Sequence, residues 1–598
     1  MAMSRGRKVA VIVVGAVLAL VLVAVLAVAL FIASVDNEPT VRDNSVLVLK
    51  VEGDLPDFTN VDPMMSRLFG GDPNSLASLL TQLKKAKADK RISAVLLDVG
   101  FVETGCAKAS EVRDAVADFR ASGKPIYAYM EVGSDKELYV ASAAERVYVA
   151  PTGDLFVNGL AAEAMYFRGT FDKLGIYWDS YQIGKYKSSP EHFTRKEMSD
   201  GEKEQLNELL DDIFNRYVQT IAEARKKSVE DVRALIDAAP HGARDAERAG
   251  LIDKAAYREE VEQELKTRLG YKDDEKLRKV SGHDYRNVTP ESLGLNQGEK
   301  IAVIFAAGPI NLGSSNDGEF GGEQMIGSDT VVKAINDARD DKSVKAIVLR
   351  VDSPGGSIYP SDFIWKAVES AKAKKPVVVS MSDVAASGGY YISMGANKIV
   401  AEPLTITGSI GIYAYKPVVK EFYDWVGVTS QYLTRGKNAG LFRETERFTD
   451  EERETFKGLL ERSYYNEFIP KAAQGRGRDA EYIDSVGQGR VWTGLRAKER
   501  GLVDELGGLD KAVEIAKELA KIPADKGVRR VVYPAPRSFF QQFLGGGEDE
   551  TSVKAREQRT LINAAPREMR RALRHAAVFE RFRQGEALAI MPFDLKIE

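Results

Sequence analysis

The chain has 598 residues, enough for two or three domains, each with a sizeable core. A net charge of −4 gives no electrostatic basis for nucleic-acid binding, and 44% hydrophobic with 29% charged residues is ordinary globular composition. The single cysteine, Cys106, excludes an intramolecular disulfide and a Cys-based metal site; none of the four histidines (His192, His241, His283 and His575) pairs at metal-ligand spacing, which argues against a zinc hydrolase.

Residues 1–8, "MAMSRGRK", form a basic N-terminus carrying Arg5, Arg7 and Lys8. Residues 9–33 then run about 25 positions without a charge, long enough to span a bilayer, whereas the apolar core of a cleaved signal peptide is shorter. Basic residues before the span, with Asp36 and Glu38 after it, predict a cytoplasmic N-terminus and an extracytoplasmic body.

Beyond the predicted anchor the chain repeats itself. "NSVLVLKVEGDLPD" from Asn44 has a counterpart in "GEKIAVIFAAGPINL" from Gly298. "DKRISAVLLDVG" from Asp89 matches "DKSVKAIVLRVDSPGG" from Asp341, and "KPIYAYMEV" from Lys124 matches "KPVVVSMSDV" from Lys375. A constant offset of about 250 residues indicates two copies of one domain, over 44–285 and 298–525, rather than a solenoid. In each copy short β-branched runs alternate with helical stretches, which predicts an α/β domain with a mostly parallel sheet and active loops at the strand C-termini. The long charged helices from Ser199 and from Thr449 read as solvated faces. Residues 534–598 have no counterpart; they hold a glycine-rich linker and a basic helix with an apolar stripe.

The copies differ where chemistry would sit. In the second, "AIVLRV" ends in Asp352-Ser353-Pro354-Gly355-Gly356-Ser357, and further on comes "AASGGYY" with Ser387, Gly388 and Gly389. The first copy lacks both glycine-rich turns and places Asp135 opposite Ser387. It keeps Lys185 and Lys187 in "GKYKSSPEHF", where the second has Lys437 and Ala439. A serine before two glycines is either a nucleophile or a turn residue capping a helix. A composite site, each copy supplying what the other dropped, explains the exchange; ordinary divergence explains it too. If Ser387 and Lys187 meet, the chemistry is coherent. A serine hydroxyl needs a base within hydrogen-bond reach, and a lysine desolvated between two domains can serve. Amides of Gly355, Gly356 and Gly388 are the candidate oxyanion donors, each worth about 3 kcal/mol.

"VDSPGGS", "AASGGYY", "LTITGSIGI" and "GKYKSSPEHF" together resemble the signal peptide peptidase A family in its long, two-repeat bacterial form, and the likeness covers nearly the whole chain. The resemblance implies two tandem ClpP/crotonase-like repeats after an N-terminal transmembrane helix. It also implies a Ser-Lys serine peptidase that cleaves remnant signal peptides and other apolar peptides. Carried over, the nucleophile falls on Ser387, the base on Lys187 with Lys185 as its competitor, and a lysine-orienting hydroxyl on Ser409 of "TGSIG". A homotetrameric bowl at the bacterial plasma membrane is implied as well. No cofactor or metal is expected, and no nucleotide-binding motif is present, so the expected action is ATP-independent.

Ser353, Ser357 and Ser382 read as turn or cap residues, Cys106 as a buried or turn thiol, and His192 as a surface residue. Apolar residues between Phe58 and Gly71 either line an entrance or pack beneath a loop. Two rivals stand beside the peptidase reading: a crotonase-like enzyme acting on acyl-CoA thioesters, and a membrane-anchored scaffold.

Overall fold

The computed structural model describes residues 41–59, 74–317, 324–535 and 588–591. The predicted anchor at 9–33, residues 60–71 of the apolar stretch and the predicted basic helix of the tail lie outside the described residues. Among the described residues no helix is long and apolar enough to cross a membrane.

The β-branched runs form strands because both of their faces are covered. Val95, Leu96 and Leu97 in the first repeat, and Ile347, Val348 and Leu349 in the second, are fully buried, as strands of a two-faced parallel sheet must be. Among the described residues, the first sheet runs Lys279–Ser281, Ser45–Gly53, Ile92–Val102, Ile126–Met130, Arg146–Val149 and Lys254–Ala255, every pair parallel. The second repeats this order. Val528–Tyr533, Glu299–Ala307, Val344–Ser353 and Val377–Ala386 lie side by side, followed by Lys398–Ala401 and Glu505–Leu506. Val377–Ala386 bends from Lys398–Ala401 at its start to Ile406–Gly408 at its end, so its last residues leave one neighbour and join another.

The repeats meet through buried charge. Arg350, on strand Val344–Ser353, is 1% exposed. Its guanidinium reaches Asp57 at 2.8 Å and Glu111 at 2.5 Å, both from the first repeat. It also donates to the hydroxyls of Ser380 and Ser382 at 2.9 Å. Ser382 is therefore a strand residue in the inter-repeat network, not a turn residue, and its hydroxyl donates onward to Asp57 at 3.1 Å. Phe58 stacks on Phe305 with ring centroids 4.8 Å apart, so this part of the apolar stretch packs against the other repeat.

One strand crosses between repeats in the other direction. Tyr177–Ile183 leaves the first repeat and pairs antiparallel with Ile412–Val418 of the second, from Ile412 opposite Ile183 to Val418 opposite Tyr177. That pairing carries the residues after Ile183 into the second repeat.

Candidate active site

Ser387 comes directly after strand Val377–Ala386 and sits at the N-terminal cap of helix Gly388–Ser393. Its backbone has φ 55° and ψ −111°, a conformation that costs a non-glycine residue on the order of 1–3 kcal/mol. Two hydrogen bonds hold it there: its N–H donates to Gly408 O at 2.8 Å, and Tyr391 N–H donates to its carbonyl at 2.8 Å. The two glycines after it are required by contact. A Cβ on Gly389 would stand 2.5 Å from Ser353 O, and one on Gly388 would stand 3.0 Å from Gly356 N.

Lys187 arrives from the first repeat. After strand Tyr177–Ile183, Gly184 takes φ 111° and lies so close to the Gln488–Gly489 backbone that a Cβ would be 2.3 Å from Gln488 C. Tyr186 N–H donates to Gln488 O at 2.9 Å, pinning the segment to the second repeat. The Lys187 side chain is fully buried, with Nζ 2.8 Å from Ser387 Oγ, 2.9 Å from Ser409 Oγ and 3.2 Å from Ser409 O. Ser409 is also fully buried and held at φ 51° by its N–H bond to Arg490 O at 2.7 Å. Desolvation alone drives the Lys187 pKa well below its ordinary 10.5, because no carboxylate among the described residues faces the amine to raise it. Lys185 points away: it is exposed and pairs with Glu204 at 3.1 Å.

Gly355 and Gly356 differ from the predicted turn. With Ser357 they form a short strand, Gly355 at φ 106°, between Ile310 on one side and residues 588–590 on the other. The Gly355 N–H donates to Ser353 Oγ at 3.2 Å, so Ser353 supports this segment. Gly388 opens a helix, and first-turn amides of a helix have no acceptor within it.

The tail segment was not anticipated as part of this site. Leu588–Ile590 runs antiparallel to Gly355–Ser357, with Gly356 opposite Ala589, and Leu588 also faces Tyr413. Met591 N–H donates to Pro354 O at 2.6 Å, and Ser189 Oγ donates to Met591 O at 2.9 Å. Met591 packs among Leu206, Leu209, Ala386, Ile406 and Val491, next to Ser387; Leu588 packs on Trp178, Tyr413 and Tyr415. A run of apolar residues near a C-terminus gives no sign of such a destination.

Behind the site, Lys108 of the first repeat ties together the ends of two strands. Its Nζ lies 2.7 Å from Asp352 and 3.6 Å from Asp383, while the N–H groups of Gly105 and Lys108 each donate to the Asp383 carboxylate at 2.9 Å. Burial pushes the Asp352 carboxyl up to about 6. Asp352 in turn accepts from Val384 N–H at 3.1 Å, so the end of strand Val344–Ser353 and the serine strand are cross-braced.

The first repeat holds no equivalent pair among the described residues. Asp135 opens helix Asp135–Ala141; burial pushes its carboxyl up to about 6, against hydrogen bonds from Gly159 N–H and Tyr217. Lys437 is exposed and paired with Glu451. One minor expectation needs amending. His192 is half-buried rather than free at the surface: it stacks on Tyr166 at 5.1 Å and lies 3.3 Å from the buried Glu202. Cys106 starts helix Cys106–Arg120, where burial pushes its thiol up to about 11 and makes it a poor nucleophile.

The peptidase family S49 profile matches residues 118–272 and again 369–523, one match in each repeat. The chain belongs to peptidase family S49. It is 37% identical to "Serine protease SPPA, chloroplastic" of Arabidopsis thaliana over 85% of this chain and 74% of that one. To "Protease 4" of Salmonella typhi it is 35% identical over 81% of this chain and 80% of the relative. To "Protease 4" of Haemophilus influenzae it is 32% identical over 75% and 73%. The protein is a serine peptidase in the long, two-repeat form of its family. Its repeats are not equal partners, since the peptidase carries in the second a buried serine met by a lysine from the first, and in the first an aspartate at the position matching that serine.

Proposed function

We propose that the peptidase cleaves extended apolar peptides, remnant signal peptides among them, through a Ser387–Lys187 dyad. The observation that supports this reading is the fully buried Lys187 Nζ standing 2.8 Å from Ser387 Oγ, its pKa lowered by desolvation with no opposing carboxylate among the described residues. A neutral amine there accepts the hydroxyl proton as Oγ attacks the scissile carbonyl carbon. The resulting ammonium gives that proton to the departing amine nitrogen, leaving an acyl-enzyme. Water then attacks the ester, with Lys187 again taking the proton and returning it to Ser387. Ser409 accepts from the amine and aims its lone pair; the Gly388 amide, with Gly356 beside it, supplies the oxyanion side, the Gly355 N–H being given to Ser353 Oγ.

An extended substrate is favoured because Gly355–Ser357 already pairs with an antiparallel strand, and the two positions flanking it are apolar. One relative is named "Putative signal peptide peptidase SppA" in Enterococcus faecium, 31% identical over 39% of this chain and 68% of that one. We further propose that residues 9–33 anchor the chain in the plasma membrane with the N-terminus cytoplasmic, that the fold of each repeat is ClpP/crotonase-like, and that the protein works as a homotetramer without ATP.

The test is hydrolysis of fluorogenic apolar peptides by the full chain in detergent, beside Ser387→Ala and Lys187→Ala. Loss of turnover in both variants, each folded by circular dichroism, is expected. Full activity of Lys187→Ala would overturn the dyad, and turnover of acyl-CoA thioesters without peptide cleavage would overturn the peptide substrate.

A further inference from the structure

A second lysine of the first repeat reaches the serine strand where that strand is weakest. Strands Val344–Ser353 and Val377–Ala386 pair residue for residue from Ile347 opposite Val377 to Val351 opposite Met381. The ladder then slips: the next pair is Ser353 with Ala385, so a step of two residues on one strand matches a step of four on the other. Residues 382–384 therefore bulge just before Ser387, where this strand also changes neighbours. A bulge disrupts the ladder locally, and side chains take over here. Val384 N–H donates to Asp352 Oδ1 at 3.1 Å, and the Lys108 ammonium sits between Asp352 on the regular strand and Asp383 in the bulge, at 2.7 and 3.6 Å. Asp383 also caps the helix that carries Lys108. Gly105, at the N-terminal cap of Cys106–Arg120, has no side chain to offer. The Asp383 carboxylate accepts from Gly105 N–H and Lys108 N–H instead, at the end where the helix dipole favours an anion. A Cβ on Gly105 would stand 2.4 Å from Asp383 Cγ, so the contact leaves no room for another side chain. Ser353, next after Asp352, backs onto the serine turn: Gly389 lies against its carbonyl oxygen, and its hydroxyl accepts from Gly355 N–H.

These residues are exchanged between the repeats as the serine and its lysine are. A shift of 252 residues lays helix Cys106–Arg120 on Ile358–Lys372 and the start of strand Ile92–Val102 on that of Val344–Ser353. Lys108 then meets Pro360, and Asp352 meets Gly100. The next strand is shifted by 251, from Lys124 to Lys375, which sets Asp383 opposite Val132. Each repeat keeps one half of the ion cluster: the cation in the first, the two carboxylates in the second.

We propose that Lys108 is a positioning residue for peptide cleavage: by neutralising Asp352 and Asp383 it holds the bulge that aims Ser387. This rests on Ser387 as the proposed nucleophile and not on Lys187 as its base. Asp54 and Asp57 also face the Lys108 amine, and Lys136 lies beyond them, donating to Thr104 O at 3.0 Å. Without the cation, Asp352 and Asp383 stand against each other beside Asp57, all three buried or nearly so. Desolvation and these carboxylates hold the Asp352 carboxyl at about 6 even with Lys108 opposing them, so loss of the lysine raises it further. The bulge then carries uncompensated charge at high pH and relaxes away from its aligned position.

The experiment compares the full chain in detergent with Lys108→Met, Gly105→Ala, and Lys108→Met combined with Asp352→Asn. Hydrolysis of a fluorogenic apolar peptide and labelling of Ser387 by a fluorophosphonate are followed across pH, with folding checked by circular dichroism. Lys108→Met is expected to lose about 10²-fold in kcat with KM within about twofold, the pattern of a displaced nucleophile rather than a lost binding contact. Its labelling rate falls alongside. Its pH profile gains a falling limb at high pH, as Asp352 and Asp383 ionise together, that the parent lacks. Asp352→Asn keeps an oxygen to accept from Val384 N–H and removes one charge. The double variant is therefore expected to regain about tenfold in kcat and to lose the falling limb. Gly105→Ala pushes on Asp383 without stranding a charge, and a fall of about tenfold in kcat is expected there, which tests the role even where Lys108→Met does not fold. Parental kcat and labelling in folded Lys108→Met, with turnover still abolished in Ser387→Ala, would overturn the positioning role alone. Equal losses in the single and double variants at every pH would assign the effect to packing and overturn it too. Turnover that survives Ser387→Ala would overturn the nucleophile, a separate failure.

Discussion

Gly489 backs directly onto Lys187: a Cβ at position 489 would lie 2.6 Å from the lysine Cβ and 2.7 Å from its backbone nitrogen. Gly489 also has φ 72° and donates its N–H to Ile410 O at 2.7 Å, so it cannot retreat without disturbing the segment that holds Ser409. Gly489→Ala should therefore push the Lys187 backbone away from the serine. A loss of about 10²-fold in kcat is expected, the scale of a misplacement near 1 Å, with Tm lowered by only a few degrees. Unchanged kcat in a steady-state assay would show that the contact does not position the base.

Peptide cleavage should rise with pH. Desolvation lowers the Lys187 pKa well below 10.5, and in the proposed dyad the neutral amine is the active form, so kcat/KM grows as pH climbs through that depressed value and then levels. The sign for stability is the same: the unfolded lysine binds its proton more tightly than the folded one. Folding therefore strengthens with pH from the depressed value up to 10.5. A pH–rate profile with the same ascending limb in Ser409→Ala as in the parent would show that Ser409 does not tune the amine.

Breaking the inter-repeat charge hub should be costly. Arg350→Met leaves Asp57 and Glu111 buried without their cation, and the loss expected is about 3–5 kcal/mol. Removing the charges together, in Asp57→Asn, Glu111→Gln, Arg350→Met, should recover much of that. Denaturant melts of the single and triple variants check the point, and equal instability in both would show that packing rather than charge is lost.

Glu402 makes a separate pH prediction. Burial, with Glu111 and Asp114 adding to it, pushes its carboxyl up to about 9. Because the folded value is raised, its contribution is complete below about 4.5 and is lost as pH rises toward 9. Glu402→Gln should flatten the decline of Tm across pH 6–9 and raise Tm at pH 8. A parallel decline in the variant would assign it to other groups.

If an extended substrate pairs with Gly355–Ser357 as proposed, the tail strand Leu588–Ile590, which pairs with the same segment, competes with it. Ending the chain before Leu588 should lower KM for a fluorogenic peptide, since a tethered competitor acts at millimolar effective concentration, and leave kcat within about twofold. Replacing Met591 with Asp, which puts a charge among Leu206, Leu209 and Val491, should act in the same direction. If KM rises instead, the strand is part of the working site.

Most of the fold was legible because hydrophobic runs buried on both faces have few alternatives to a parallel sheet. A repeat at constant spacing then doubles every such inference. "AIVLRV" and "PVVVSM" fell on strands Val344–Ser353 and Val377–Ala386 for that reason. Ser382 was misread because its hydroxyl is claimed by Arg350 and Asp57, which arrive from distant positions in the chain. The strand formed by Gly355–Ser357 was read as a turn because its partners, Ile310 and residues 588–590, are likewise remote.

By itself the sequence determined two α/β repeats, the loss of the serine and glycines in one and of a lysine in the other, and hence which residues had to be compared. Local pattern and internal repetition suffice for that. Only the tertiary structure decided that Lys187 rather than Lys185 reaches Ser387. The reason is the exchange of strand Tyr177–Ile183 onto the second repeat, which turns alternate residues of one short segment to opposite environments. Spacing along a chain cannot reveal which side of such a segment is buried; the partner strand does.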